Sequence, residues 1–454
     1  MPSNTWGRVV FRIFVILLGI FQGFGQADYL SPETNPASFE SAVLPDGSFG
    51  KYKLDSLDLY QKVDSLMSLA IGREAFPGAQ VLVAYKGEKI YHKTFGFHTY
   101  DSLSPVAKGD LYDLASVTKI TAGLPAVMKL QEAGIIALDD PLSETWKPWR
   151  RSSDKSELTW REILAHQAGL KPYIVFLSDV RHKRKPGLKR KFVRTSASTR
   201  FSLQAYEDRF INRRFPKKMY RGINKSAVSS DKTYRYSGLA FLLIPEIVRQ
   251  QTGLNFDTYL FENVYGPLGL SHTSFLPELR QPGARIVPTE QDTLYRNTLT
   301  RGWVHDENAS LLGGVSANAG LFSTADDLAV IMQCFANYGR YNGKQIFDAN
   351  LVEEYARVQY PENENRRGVG FDKPLLENAS QSLNTAYPAP LASAKSFGHG
   401  GFTGTFVWAD PENQLVFIFL SNRVYPDRSH RQLYELKVRT QLHQWFYEAL
   451  LAAQ

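Results

Sequence analysis

The 454-residue chain contains one cysteine, Cys334, so no disulfide can form within it and no thiolate cluster can hold a metal. Cys334 lies in the apolar segment VIMQCFANYG, where a buried structural thiol is the expectation. None of the nine histidines belongs to an H-E-x-x-H pair, which removes that zinc-hydrolase signature. G-x-S-x-G is also absent, the nearest miss being GVSAN at Gly314 to Asn318, so an α/β-hydrolase triad is unsupported. There is no repeat of fixed period and, apart from one basic run, no low-complexity tract.

With 43% hydrophobic and 22% charged residues, the composition is that of an ordinary globular protein. Its length would fill about three domain-sized units. Arg8 and Arg12 precede the apolar run IFVILLGIF, and Gly23, Gly25 and Ala27 follow it. Residues 1–27 therefore read as a secretory signal peptide, and the expected location is the periplasm or the exterior. The run is well short of the roughly 20 residues that span a bilayer, which disfavours an uncleaved anchor. No cysteine follows it to carry a lipid. Residues 28–50 read as a polar linker ahead of a domain spanning 51–454.

Loss of Arg8 and Arg12 takes the net charge from +8 to +6. Much of the surplus is local, because RHKRKPGLKRKFVR at residues 181–194 holds eight Lys or Arg and no acid. Such a run usually marks a solvated loop. A weaker expectation is attraction to anionic envelope surfaces through these residues. No nucleic-acid-binding module accompanies it.

LDSLDLYQKVDSLMSLAI places Leu57, Tyr60, Val63, Leu66 and Leu69 or Ala70 on one helical face. AQVLVAY and KIYHKTFGF read as a hairpin, as do TFVWAD and QLVFIFLSN across the turn DPEN, and HRQLYELKVRTQLHQWFYEALL closes the chain as helix. The fold class is thus α+β. One antiparallel sheet is built from both chain ends, about 51–110 and 392–454, with a large, mostly helical region of about 111–391 inserted between them.

S-x-x-K occurs four times, at Ser48, Ser116, Ser152 and Ser229. Only Ser116 precedes apolar residues at helical spacing, Ile120, Leu124, Val127 and Met128. Serine is a good N-cap, but a cap leaves Lys119 unexplained. Residues three apart share a helix face, so the amine would lie beside the hydroxyl, partly desolvated at the positive end of the helix. Both effects lower a lysine pKa, and a neutral amine there is a general base for a nucleophilic serine. Pro125 should kink this helix.

Further along, Tyr236 and Ser237 in TYRYSGLAFLLIPEIV precede an apolar run, and GHGGFTGTFVWAD sets His399, Gly400 and Gly401 at the start of a strand. In this order the three motifs resemble the penicillin-recognising serine hydrolases, the class C β-lactamase and D-alanyl-D-alanine carboxypeptidase-like group. REILAHQAGL, YGPLGLSHTSF and LGGVSANAGLFSTADDLA extend the likeness over nearly all of Leu57 to Leu450, apart from much of residues 172–230. VHDENA and NRRGVGFDKP bring it nearest to the serine hydrolase domains fused to bacterial N-acetylglucosaminidases.

The resemblance implies a β-lactamase/transpeptidase-like fold and an acyl-enzyme mechanism without metal or cofactor. Ser116 would be the nucleophile, with Lys119 and Tyr236 moving the proton. The backbone N–H groups of Ser116 and Phe402 would form the oxyanion hole. Ser237, His399, Gly400 and Gly401 would contact substrate. Three positions depart from the family pattern: Gly238 stands where Asn or Asp is frequent, His399-Gly400 replaces Lys-Thr, and Asn318 replaces a common histidine. His166 reads as a structural residue, and His305 with Asp306 as loop-ordering residues. The expected substrates are small molecules or peptides, namely amides of peptidoglycan-derived peptides or β-lactam-like compounds. A carboxylesterase using the same serine and a weakly catalytic cell-wall-fragment sensor remain open alternatives. The sequence leaves the oligomeric state open.

Overall fold

The computed structural model describes residues 42–54 and 56–452. The signal-peptide reading of residues 1–27 lies outside them. Gly78–Tyr85 (β1) and Glu88–Gly96 (β2) form a hairpin around Lys86 and Gly87, whose φ angles of 51° and 80° suit a two-residue turn. Phe397–Gly400 (β3), Phe406–Asp410 (β4) and Leu415–Ser421 (β5) come from the other end of the chain. The five strands make one antiparallel sheet in the order β3-β4-β5-β1-β2. β1 and β5 close it, with Val81 opposite Phe419.

Strand alternation sorts the core into two layers. Val81, Val83, Trp408, Phe417 and Phe419 pack against the helices Leu57–Gly72 (α1) and Val438–Leu451. Leu82, Val407, Val416, Ile418 and Leu420 face the opposite way, toward the buried helix Ala325–Ala336 that carries Cys334. Burial pushes the Cys334 thiol pKa up to about 12. On α1 the buried stripe is Leu59, Val63, Leu66, Met67 and Ala70. Leu57, assigned to that stripe from the sequence, is exposed, and of the alternatives Leu69 and Ala70 it is Ala70 that is buried. The face is rotated because α1 packs on the C-terminal helix as well as the sheet.

The inserted region holds helices and four small antiparallel sheets, each of two or three strands. One pairs Tyr112–Asp113 and Ser274–Phe275 with Leu321–Ser323. Such strands are too short to show an alternation in sequence. In the segment read as linker, Ala42 N donates to Gly269 O at 2.9 Å, and Leu44 and Phe49 are buried in the domain's core. The closing helix is broken at Lys437, which has φ 50°, leaving Gln432–Glu435 as a separate short turn.

His443, on the last helix, lies 4.6 Å from Phe417 and 4.8 Å from Tyr447, ring centre to ring centre, and neither nitrogen has a partner among the described residues. Burial pushes its pKa down to about 3, against the opposing pull of Asp410. Burial likewise takes His92 down to about 4. In the unfolded chain both would protonate near pH 6.5, while in the folded chain neither does. The unfolded state therefore binds more protons, and stability falls as pH drops from about 6.5 toward 3. Urea titrations between about pH 7 and about pH 4.5 should show this fall, by up to about 1.4 kcal/mol per pH unit for each histidine. His443→Phe should lessen it, leaving the share due to His92.

Candidate active site

Ser116 sits inside a single 3₁₀ turn, Ala115–Val117, with no side chain capping it. A π turn, Lys119–Gly123, follows, and only then an α-helix, Leu124–Glu132 (α2). The single kinked helix expected from the sequence is thus divided into three hydrogen-bonding patterns. Pro125 has no amide to give Thr121 O, and Tyr265 Oη donates to that carbonyl instead at 2.9 Å. Ala115 is held at φ 45°, an uncommon conformation for a residue with a side chain. Buried Asp113 stabilises it: one carboxylate oxygen accepts from Ala115 N at 2.8 Å and the other from His305 N at 2.6 Å.

Lys119 is buried at 3% exposure. Its Nζ lies 3.0 Å from Ser116 Oγ and donates to Asn318 O at 2.8 Å. The other three S-x-x-K lysines turn elsewhere: Lys51 to Glu88, Lys155 to Asp154 and Lys232 to Glu162. Asn318 therefore has a role that its residue type does not reveal. Its carbonyl holds the lysine, while its side chain donates to Asp306 at 3.1 Å and accepts from Ser316 at 2.7 Å.

The Tyr236 ring lies 5.4 Å from Lys119 Nζ and 6.0 Å from the His399 ring. Its hydroxyl is buried and has no partner among the described residues. His166 packs on it at 4.5 Å and accepts from Ser237 N at 3.2 Å through Nδ1. That acceptor role requires a deprotonated Nδ1, and burial, then Arg367 and Lys119, drives the ring's pKa well below the ordinary histidine value. The Arg367 guanidinium lies 5.2 Å from the Tyr236 ring centre, donates to Tyr234 Oη at 3.2 Å and is 3.5 Å from Asp372. Asp372 also accepts from Arg366 at 2.6 Å and pairs its backbone with Gly398 on the free edge of β3. The sequence leaves His166 as a structural residue and Asn318 without a role, and does not single out Arg367, because a ring contact, a carbonyl and a buried cation leave no spacing pattern.

His399 is buried, and burial, with Arg367 next, lowers its pKa to about 3 despite the opposing pull of Asp372. The ring is neutral at physiological pH. Nδ1 is 2.8 Å from Gly400 O, and Nε2 has no partner among the described residues. A Cβ on Gly401 would lie 2.1 Å from Thr405 Oγ1 and 2.5 Å from Leu114 O, so only glycine allows this close approach. Beside it, Thr403 Oγ1 donates to Asp113 O at 2.7 Å and Thr405 Oγ1 to Leu114 O at 3.0 Å. These two hydroxyls fasten the β3–β4 connection to the turn that carries Ser116.

Arg423 fixes the Phe402 carbonyl through two bonds, at 3.0 and 2.6 Å, and the Phe402 amide has no acceptor among the described residues. The Ser237 hydroxyl, assigned from the sequence to substrate, is instead spent on Lys171 O at 2.6 Å, making it a brace for the Tyr236 loop. Gly238 and Gly400 leave room for a side chain: a Cβ at either would meet nothing nearer than Asn318 Cβ at 4.0 Å and Arg439 Nη1 at 3.5 Å, respectively. His305 Nε2 lies 2.8 Å from Glu290, and Asp306 caps the helix Glu307–Leu311.

A family model described as Beta-lactamase matches residues 61–441, a span that includes every active-site residue named in this subsection. The chain belongs to the beta-lactamase family. It is 28% identical over 438 residues to an Escherichia coli O157:H7 protein named "Putative D-alanyl-D-alanine carboxypeptidase", covering 90% of each chain. Among solved structures, a penicillin-binding protein homologue from Caulobacter crescentus superposes with a TM-score of 0.59 at 18% identity, covering 86% of this chain and 98% of that one. A family VIII carboxylesterase superposes at 0.55 with 15% identity, covering 87% and 98%. The fold is β-lactamase/transpeptidase-like and the protein is a serine hydrolase.

Thr405→Val removes the donor to Leu114 O and loosens the turn beneath Ser116. Turnover of an activated ester should fall by about tenfold or more, with Thr405→Ser near wild type. Steady-state kinetics of the two variants check this.

Proposed function

We propose that this serine hydrolase works through an acyl-enzyme on amide bonds of peptidoglycan-derived peptides. The observation that carries this reading is the buried Lys119 amine between Ser116 Oγ at 3.0 Å and Asn318 O at 2.8 Å. Asn318 O holds the Lys119 Nζ within reach of the Ser116 hydroxyl, where an amine can take up the proton of an attacking serine. Ser116 Oγ attacks the substrate carbonyl as its proton passes to Lys119 Nζ. Tyr236 Oη then gives a proton to the departing amine and recovers one from Lys119. The N–H groups of Ser116 and Phe402 receive the oxyanion. Water, deprotonated by the same pair, releases the acid and restores Ser116.

The name of the Escherichia coli relative supports a peptide substrate ending in a D-amino acid. So does the positive surplus behind Tyr236, where Arg366 and Arg367 share the single carboxylate Asp372. A carboxylesterase is the second reading, and it rests on His399: a neutral ring followed by Gly400 offers a substrate carboxylate no charge on the β3 edge. Export is part of the proposal, supported by Arg8, Arg12 and the apolar run after them.

Labelling with a fluorescent phosphonate, a fluorescent penicillin and a p-nitrophenyl ester separates these readings. The phosphonate should label wild type and not Ser116→Ala, and Lys119→Ala should label on the order of a thousandfold more slowly. Lys119→Ala labelling at the wild-type rate would remove the lysine from its role. Penicillin labelling with release of D-alanine from a muropeptide supports the peptidase, and ester turnover without penicillin labelling supports the esterase.

A further inference from the structure

The basic run at 181–194 belongs to a larger feature. Residues 181–225 contain sixteen Lys or Arg and two acids, Glu207 and Asp208. They fold as a lobe: the strands Val193–Arg194, Leu203–Tyr206 and Arg209–Ile211 form a small sheet, and Phe215–Lys225 is a helix. The parts are joined by Asn212 N to Phe192 O at 2.9 Å, Arg213 N to Arg200 O at 3.0 Å, and ring contact between Phe192 and Phe215 at 5.1 Å.

Thirteen of the sixteen cations are exposed. Among the described residues only Arg209 and Lys218 have a carboxylate within ion-pair distance, Asp208 and Asp179. The helix arranges this charge. Phe215, Met219 and Ile223 are buried at i, i+4 and i+8, which leaves Arg214, Lys217, Arg221 and Lys225 as an outward stripe. The same apolar side chains stabilise the lobe from within, so the helix cannot turn over to insert.

We propose that this lobe docks the protein on the surface of an anionic phospholipid bilayer. Clusters of Lys and Arg on one side of a helix suit a plane of phosphate headgroups. Of the lobe's aromatic rings Phe201, Tyr206 and Phe215 are buried, Phe201 beside Arg194 and Arg200, and none is fully exposed. None of the described chain's exposed large hydrophobics lies between 177 and 226. Nothing is therefore presented for stacking on nucleic-acid bases, and the contact is charge on charge. The lobe also grows from the rim of the active site: Lys171 O and Pro172 O hold Ser237 and Gly238, and Ile174 O accepts from Asn308 Nδ2 at 3.0 Å. Docking would set the reaction close to the headgroups.

Co-sedimentation of the full chain with phosphatidylcholine vesicles, with and without phosphatidylglycerol, tests this. Phosphatidylglycerol should increase the bound fraction at low salt, and high salt should abolish the increase. Replacing the stripe together, by Arg214→Gln, Lys217→Gln, Arg221→Gln and Lys225→Gln, should weaken the lipid-dependent part about tenfold or more. Lys183→Gln, Arg184→Gln and Lys185→Gln, in an exposed loop, should weaken it without touching the helix. Phosphonate labelling and the melting temperature of both variants should match wild type. Binding that ignores phosphatidylglycerol, or variants that bind as wild type, would overturn the proposal. Retention by a DNA duplex at a salt concentration that strips the protein from vesicles would reassign the lobe to a polymer.

Discussion

A primary amine taken out of water has to find acceptors, and that requirement at Lys119 organises much of what surrounds it. Asn318 supplies a carbonyl and Ser116 a hydroxyl. Bringing both to the same nitrogen needs a chain that does not follow one smooth helix. The 3₁₀ turn presents Ser116, the π turn presents Lys119, and the α2 ladder begins only after them. Tyr265, distant in sequence, completes the hydrogen bonding that Pro125 interrupts.

The closure of the sheet supplies the second half of the site. Pairing β1 with β5 brings the two chain ends together and fixes where β3 and β4 lie. Their connection reaches the serine turn through Thr403 and Thr405, which donate to the carbonyls of consecutive residues, Asp113 and Leu114. Phe402 stands directly before the first of these threonines, so its amide and the Ser116 hydroxyl are held by one short set of bonds. Glycine at 401 permits the approach, and no side chain could replace it without displacing Leu114.

Both hairpins and the helices at the ends of the domain were legible because alternation and helical spacing leave direct marks on sequence. The α1 stripe was misplaced at Leu57, and the choice between Leu69 and Ala70 stayed open, since the pattern fixes a period better than it fixes which neighbour is covered. The small interior sheets left no trace because a strand of two residues has no period. Ser116, Lys119, Tyr236 and His399 were legible as motifs in order. Their supports were not, since Asn318 acts through its backbone, His166 through its ring face and Arg367 through buried charge. Ser237 shows the opposite failure: a motif neighbour whose hydroxyl is engaged in bracing a loop.

The π turn at Lys119–Gly123 also bears on how this chain can change length. Such a turn holds one residue more than an α turn in the same place. Removing one of Ile120, Thr121, Ala122 or Gly123 would convert the turn to regular helix and rotate what lies upstream by about 100° around the axis. Lys119 would then face away from Asn318. The surplus residue is thus what sets the Lys119 amine between the Ser116 hydroxyl and the Asn318 carbonyl.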